Sequence, residues 1–268
     1  MSLRSKLFPV AVCAATLALS SATQAQDPKQ IVQEAVNTEL AAARTDHTHW
    51  RYLKQESAGN EFVVVETENG AISRHVTENG HPASPATLKT DNDTIQRFIH
   101  DPALQAKQRR DGAHDDKSAA ELLNLMPEAF LWKIDNETSE VVNLSYHPNP
   151  GFSPPDMEAR VMGGMSGTLV VSKEGHRIRT FKGRLENDVT LGYGLFARLK
   201  QGSTFDIERR IIAPGIWQIT ETHVHIQGHA LFFKTISTQQ DEVKSNFTPV
   251  APGTTLQQAV AILDEPAK

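Results

Sequence analysis

Val189-Thr-Leu-Gly-Tyr-Gly-Leu-Phe-Ala-Arg-Leu-Lys200 decides how the rest of this chain is read. Val189, Leu191, Tyr193, Leu195, Ala197 and Leu199 fall on one side of an extended backbone. Thr190, Gly192, Gly194, Phe196, Arg198 and Lys200 fall on the other. Residues two apart share a face of a strand, so the stretch reads as one long strand with an apolar face. A sheet of such strands must cover that face with helices, with itself or with a ligand.

The neighbouring segments carry the same signal. Strands are expected at 166–172, 177–185, 204–212 and 216–226, with turns at 173–175, 186–187, 201–202 and 213–215. Gln227-Gly228 reads as a turn into a further strand over 230–238. Upstream, strands are expected at 50–56, 61–67 and 71–77, punctuated by Asn69-Gly70 and Asn79-Gly80, and again at 130–134 and 141–147. The Pro-rich segment 148–155 is a loop. Asp27-Pro28 opens a helix with Ile31, Val32, Ala35, Val36 and Leu40 on one side. The charged segment 85–127 reads as a helical insert that restarts at Asp101-Pro102 and again at Asp115 or Asp116. Thr254 is placed to cap a closing helix. The expected fold is therefore α+β and mainly β. About eleven antiparallel strands form one curled sheet, a half-barrel, with an N-terminal helix, a helical insert and a C-terminal helix, as a single domain over 26–268.

Composition narrows the chemistry. Residues 1–25 read as a cleavable signal peptide: Arg4 and Lys6, an apolar run over 7–19, then Thr23-Gln24-Ala25 before Gln26. An exported, periplasmic protein is expected. Cys13 is the only cysteine and lies inside that signal. Lipidation of Cys13 is disfavoured because Val12, not a small residue, precedes it. The mature chain then has no thiol catalysis, no disulfide and no cysteine metal site. Loss of Arg4 and Lys6 takes the net charge from −5 to −7, which argues against nucleic acid and against an anionic membrane surface. No later apolar run is long enough to span a bilayer.

The order of elements resembles the LolA-like superfamily of bacterial envelope proteins, which includes lipoprotein carriers and lipoprotein-sorting proteins. At motif level the resemblance is to a group of uncharacterised exported bacterial proteins of that shape. It is carried by Asn149-Pro-Gly-Phe-Ser-Pro-Pro155, Gly164-Met-Ser-Gly-Thr-Leu169, Asp188-Val-Thr-Leu-Gly-Tyr-Gly-Leu195, Lys200-Gln-Gly-Ser-Thr-Phe205 and Leu231-Phe-Phe-Lys-Thr-Ile-Ser237. The resemblance implies an incomplete barrel with helices in its mouth around an apolar cavity for acyl chains. The helical insert departs from that pattern.

Candidate sites follow. The cavity candidates are Leu169, Val171, Val189, Leu191, Tyr193, Leu195, Trp217, Ile219 and Phe232. His223 and His225 share a strand face and make a weak metal pair; His47 and His49 make another, and no cofactor is expected. Gly164-Met-Ser-Gly-Thr168 departs from a nucleophile elbow at its last position and has no strand–helix context. No catalytic residue stands out. The leading expectation is a non-catalytic binding protein for a lipid or for the acyl chains of a lipoprotein. An envelope regulatory or protein-interaction module is the second reading, and a metal-dependent hydrolase the third.

Overall fold

A computed structural model describes residues 26–191, 197–230 and 234–265; side chains at 191, 197, 229–230 and 234–238 lie outside that description. In chain order the elements are α1 (Pro28–Thr45), β1 (Trp50–Glu56), β2 (Asn60–Thr67), β3 (Gly70–Glu78), β4 (His81–Pro82), α2 (Pro85–His100), α3 (Pro102–Ala129), β5 (Phe130–Glu137), β6 (Val141–Pro148), α4 (Met157–Gly163), β7 (Met165–Ser172), β8 (Ile178–Leu185), β9 (Val189–Leu191), β10 (Ala197–Leu199), β11 (Thr204–Ala213), β12 (Ile216–Ala230), β13 (Lys234–Pro249) and α5 (Leu256–Leu263).

The strands form one open antiparallel sheet in the order β4-β3-β2-β1-β13-β12-β11-β8-β7-β6-β5. The short β9–β10 pair joins it at the far end of β12. The mainly β, α+β architecture is as expected. Strand pairing and period-two alternation trace its two faces. One face carries Leu144, Leu169, Phe181, Ile207, Thr222 and Glu242 in one cross-strand row. The other carries Thr168, Lys182, Asp206, His223 and Asp241.

The helices cover opposite faces at the two flanks. The apolar stripe of α1, with α3 and α4, packs on the first face at β5 to β8, burying Phe130, Leu144, Tyr146, Leu169 and Val171. At the other flank α2 and α5 bury Val63, Val65 and Ile72, which point to the second face. The N-caps are legible locally: Asp27 accepts from Lys29 N, Ser84 from Thr87 N and Asp101 from Ala103 N and Leu104 N. The helices also protect an edge. Asp91 of α2 accepts the His75 N–H, and the Gln108 amide of α3 exchanges two hydrogen bonds with Ala71, so β3 does not present a bare edge.

Tyr146 explains two glycines. Gly167 and Gly183 are paired neighbours, and a Cβ at Gly167 would run into the Lys182 carbonyl oxygen. At Gly183 a Cβ would meet the Phe205 ring and the Tyr146 hydroxyl. The Tyr146 ring thus lies over bare backbone and its hydroxyl donates to Lys182 O at 2.8 Å.

Four local expectations are corrected. Residues 189–200 are not one strand: Val189 pairs with Leu199 and Leu191 with Ala197, so the chain doubles back. All four positions are odd, and a hairpin in this register keeps the parity of a straight strand. Gln227-Gly228 is not a turn, because β12 runs through it to Ala230. Gly228 instead admits the backbone of β10, since a Cβ there would lie 2.6 Å from Arg198 O. The insert is two helices, not three. Asp115 and Asp116 sit inside α3, which no proline interrupts before Pro127 in its last turn. The closing helix is capped by Thr255, not Thr254, in a reciprocal capping box with Gln258.

Candidate functional site

The first face changes character between β8 and β11. On β6 and β7 it is closed core: Leu144 is 1% exposed and Leu169 0%. Phe205 and Ile207 on β11, and Val224 and Ile226 on β12, continue the same face but are only half-buried. Leu199 and Val189 extend it toward the end of the sheet, packed on the edge of the core. The helices pack mainly on β2 and β3 and on β5, β7 and β8, leaving this strip at their margin.

A buried ion cluster marks that margin. Glu39 lies on the buried stripe of α1 and is 5% exposed. Arg177 donates to both of its carboxylate oxygens, at 3.0 and 2.9 Å, and Ile178 N donates at 2.8 Å. Arg209 of β11 pairs with the same carboxylate, and the Arg177 guanidinium lies 5.8 Å from the Trp217 ring centre. Burial alone would raise the Glu39 pKa. The hydrogen bonds and charges of Arg177 and Arg209 outweigh it and hold the carboxyl below the usual 4.5. Sequence reading missed this cluster. Its one local signal was a Glu on the apolar side of a helix.

The sequence candidates scatter. Leu169 and Val171 are core residues packed beneath α1, and Val189 is partly buried against the same core. Trp217 is half-buried beside Arg177, and Ile219 is 39% exposed on the β11–β12 ribbon. Tyr193, Leu195 and Phe232, with the side chain of Leu191, fall outside the described residues.

His223 and His225 do come together, across the second face, on Asp241. Its Oδ1 lies 2.8 Å from His223 Nδ1 and 3.0 Å from His225 Nε2. A carboxylate oxygen only accepts, so both rings donate from those nitrogens. The Gln239 amide, then His223 and His225, hold the Asp241 carboxyl well below the usual aspartate range. Two donors converging on one oxygen leave neither nitrogen free to ligate there. His47 and His49 lie before β1, whose Trp50 pairs with Pro249, eight positions along β13 from Asp241 and roughly 26 Å away in extended chain. The two histidine pairs therefore do not meet. Among the described residues no group of three or more His, Cys, Asp or Glu side chains is placed to hold a metal ion.

Two hollows open elsewhere, the first mainly polar and the second mixed. One of about 450 Å³ is lined by Ser166, Arg184, Leu185, Glu186, Asn187 and Gln201. The other, of about 310 Å³, lies between the end of α5 and the β1–β13 pair, around Arg51, Asn246 and Thr248. Arg51 is spent there on the Ile262 and Glu265 carbonyl oxygens at the end of α5. No described helix is long and apolar enough to cross a membrane.

Comparison with family models, with curated proteins and with solved structures returned no match.

Proposed function

We propose that the protein binds an acyl chain, of a lipid or of an acylated partner, and does so without catalysis. The observation that carries this reading is the half-buried strip of Phe205, Ile207, Val224 and Ile226, which prolongs the core face past the helices. Such a surface keeps apolar area in water that a methylene chain laid along it would cover. Each methylene buried contributes about 0.8 kcal/mol, so a long chain binds without a covalent anchor. In the Asp241–His223–His225 group, by contrast, His223 Nδ1 and His225 Nε2 are both spent on one carboxylate oxygen.

Native mass spectrometry of the natively purified protein, with titration of a fluorescent fatty-acyl probe, tests this. Co-purified lipid or saturable probe uptake is expected. Repeated absence of both would remove the reading.

A protein-partner reading has one observation of its own. β5 ends the sheet, and Leu131 on it is 56% exposed. Under that reading Leu131→Lys abolishes partner capture and leaves acyl-probe uptake unchanged.

A further inference from the structure

The ion cluster beneath α1 holds more positive charge than negative. Glu39 brings one carboxylate, and Arg177 and Arg209 bring two guanidinium groups. The carboxylate is saturated: Arg177 Nε and Ile178 N donate to Oε1, and Arg177 Nη2 and Arg209 Nη1 meet Oε2. Four donors match the four lone-pair positions of a carboxylate, so Glu39 has none left for the other N–H groups of Arg209. Those groups find little else. Arg209 Nη2 donates to Trp217 O at a long 3.5 Å, and Arg209 Nε has no hydrogen-bond partner among the described residues. Nor does a second carboxylate lie within 4.0 Å of either guanidinium among the described residues. A charge so far removed from water is costly unless it is paired. The Arg209 side chain is 19% exposed, so the surplus charge is enclosed but reachable.

This surplus lies on the strip's own face. β11 alternates without interruption from Phe205 through Ile207 to Arg209, which puts all three on one side. The bulge at this level places its extra residue, Thr220, on β12, since Glu208 pairs with Glu221 and Arg209 with Ile219. The contact with Glu39 agrees, because α1 covers this same face. From Arg209 the strip runs back over Ile207 and Phe205, and over Val224 and Ile226 on the paired strand. Phe205 is four residues from Arg209, roughly 14 Å of extended chain. The next charges on this face, Glu242 and Lys244 of β13, are paired with each other at 3.1 Å.

We propose that Arg209 binds the anionic head group, carboxylate or phosphate, of the amphiphile whose chain lies on the strip, with the Glu39–Arg177 pair holding its guanidinium in place. This rests on the acyl-binding reading above and specifies the class of ligand. The Nε–Nη2 edge of Arg177 already grips the Glu39 carboxylate. The same edge of Arg209 is the one left over, and it can grip either anion with two parallel hydrogen bonds.

The test compares three probes of one chain length: dodecanoate, dodecyl phosphate and dodecanol, by displacement of a fluorescent acyl probe. The two anions are expected to bind about tenfold tighter than the alcohol. Arg209→Gln leaves the Glu39–Arg177 pair intact and is expected to abolish that preference with dodecanol affinity unchanged. Arg210→Gln, which removes the neighbouring charge on the opposite face, is expected to keep it. Arg209→Lys keeps a charge beside Glu39 and serves if Arg209→Gln does not fold; without the planar fork the preference is expected to fall to about threefold. Equal binding of all three probes by the unmodified protein, a preference unchanged in the Arg209 variants, or an equal loss of all three probes in them overturns the head-group assignment and leaves acyl binding standing. Failure of all three to bind the unmodified protein overturns the acyl reading itself.

Discussion

Leu169 on β7 and Ile207 on β11 lie in one cross-strand row of one sheet, on the same face, with Phe181 between them. Leu169 is sealed beneath α1, whereas Ile207 is half-buried. The sequences of β7 and β11 do not distinguish these fates, since both alternate. What differs is the reach of α1, whose buried stripe ends in Glu39, clamped between Arg177 on one side of the boundary and Arg209 on the other. A face that is core at one end and open at the other leaves apolar surface there, and this is the surface on which acyl binding is proposed.

The most damaging way to break this contrast is to release the clamp. Glu39→Ala leaves two arginines pressed against an apolar wall without their shared carboxylate, and a loss of about 3–5 kcal/mol in urea unfolding is expected. Acid should imitate it in part. The folded-state pKa of Glu39 is depressed, so its stabilisation is present above the unfolded value of 4.5 and is lost as pH falls through the lower folded value. Unfolding midpoints of the unmodified protein and Glu39→Gln should therefore converge as the pH drops below about 4.5. Next in size comes Leu169→Ala, which opens a void in a closed core and should cost about 2–5 kcal/mol in the same measurement.

How far the chain could be read in advance follows from the same geometry. Alternation, Asn-Gly pairs and N-caps are local, and they placed most strands and the starts of α1 and the insert. Pairing is not local. The β9–β10 reversal preserves odd–even parity, so 189–200 looked straight. β12 through Gly228 and β13 beyond residue 238 are long strands in which polar residues such as Gln227, Gln239, Gln240 and Asp241 sit on the ladder, and a hydrophobicity pattern passes over them. The site was legible only as a face. That α1 would seal Leu169 and Val171 and stop short of Ile207 depends on Arg177 and Arg209, well over a hundred residues from Glu39. The Arg184 hollow is assembled from two turns and two strands, and no residue in it is unusual by itself.

At the opposite flank a second enclosed carboxyl behaves in reverse. Burial is the largest influence on Glu66, and it raises the pKa despite the Trp50 N–H, Lys244, His49 and Tyr52 beside it. A raised folded-state pKa means that the folded form holds this proton more tightly than the unfolded chain. Stability is then lost as pH rises from 4.5 through the folded value, opposite in sign to Glu39. Glu66→Gln should flatten that loss, while Glu39→Gln should flatten the acid limb. If both variants altered the same limb of the pH–stability curve, the two flanks would not be electrostatically distinct.

The smallest change in stability belongs to the most informative substitution. Ile207→Thr keeps a β-branched side chain on β11 and removes apolar surface from a position that is only half-buried. Its cost in unfolding should stay within about 1 kcal/mol, well below that of Leu169→Ala. Its effect on acyl-probe affinity should be larger than its effect on stability, because the lost surface is counted fully only when a chain covers it. A drop in affinity of about tenfold, with the unfolding midpoint nearly unmoved, would separate strip from core. The inverse result, a core-sized loss of stability with unchanged affinity, would make Ile207 one more core residue and remove the difference from Leu169 on which the binding surface rests.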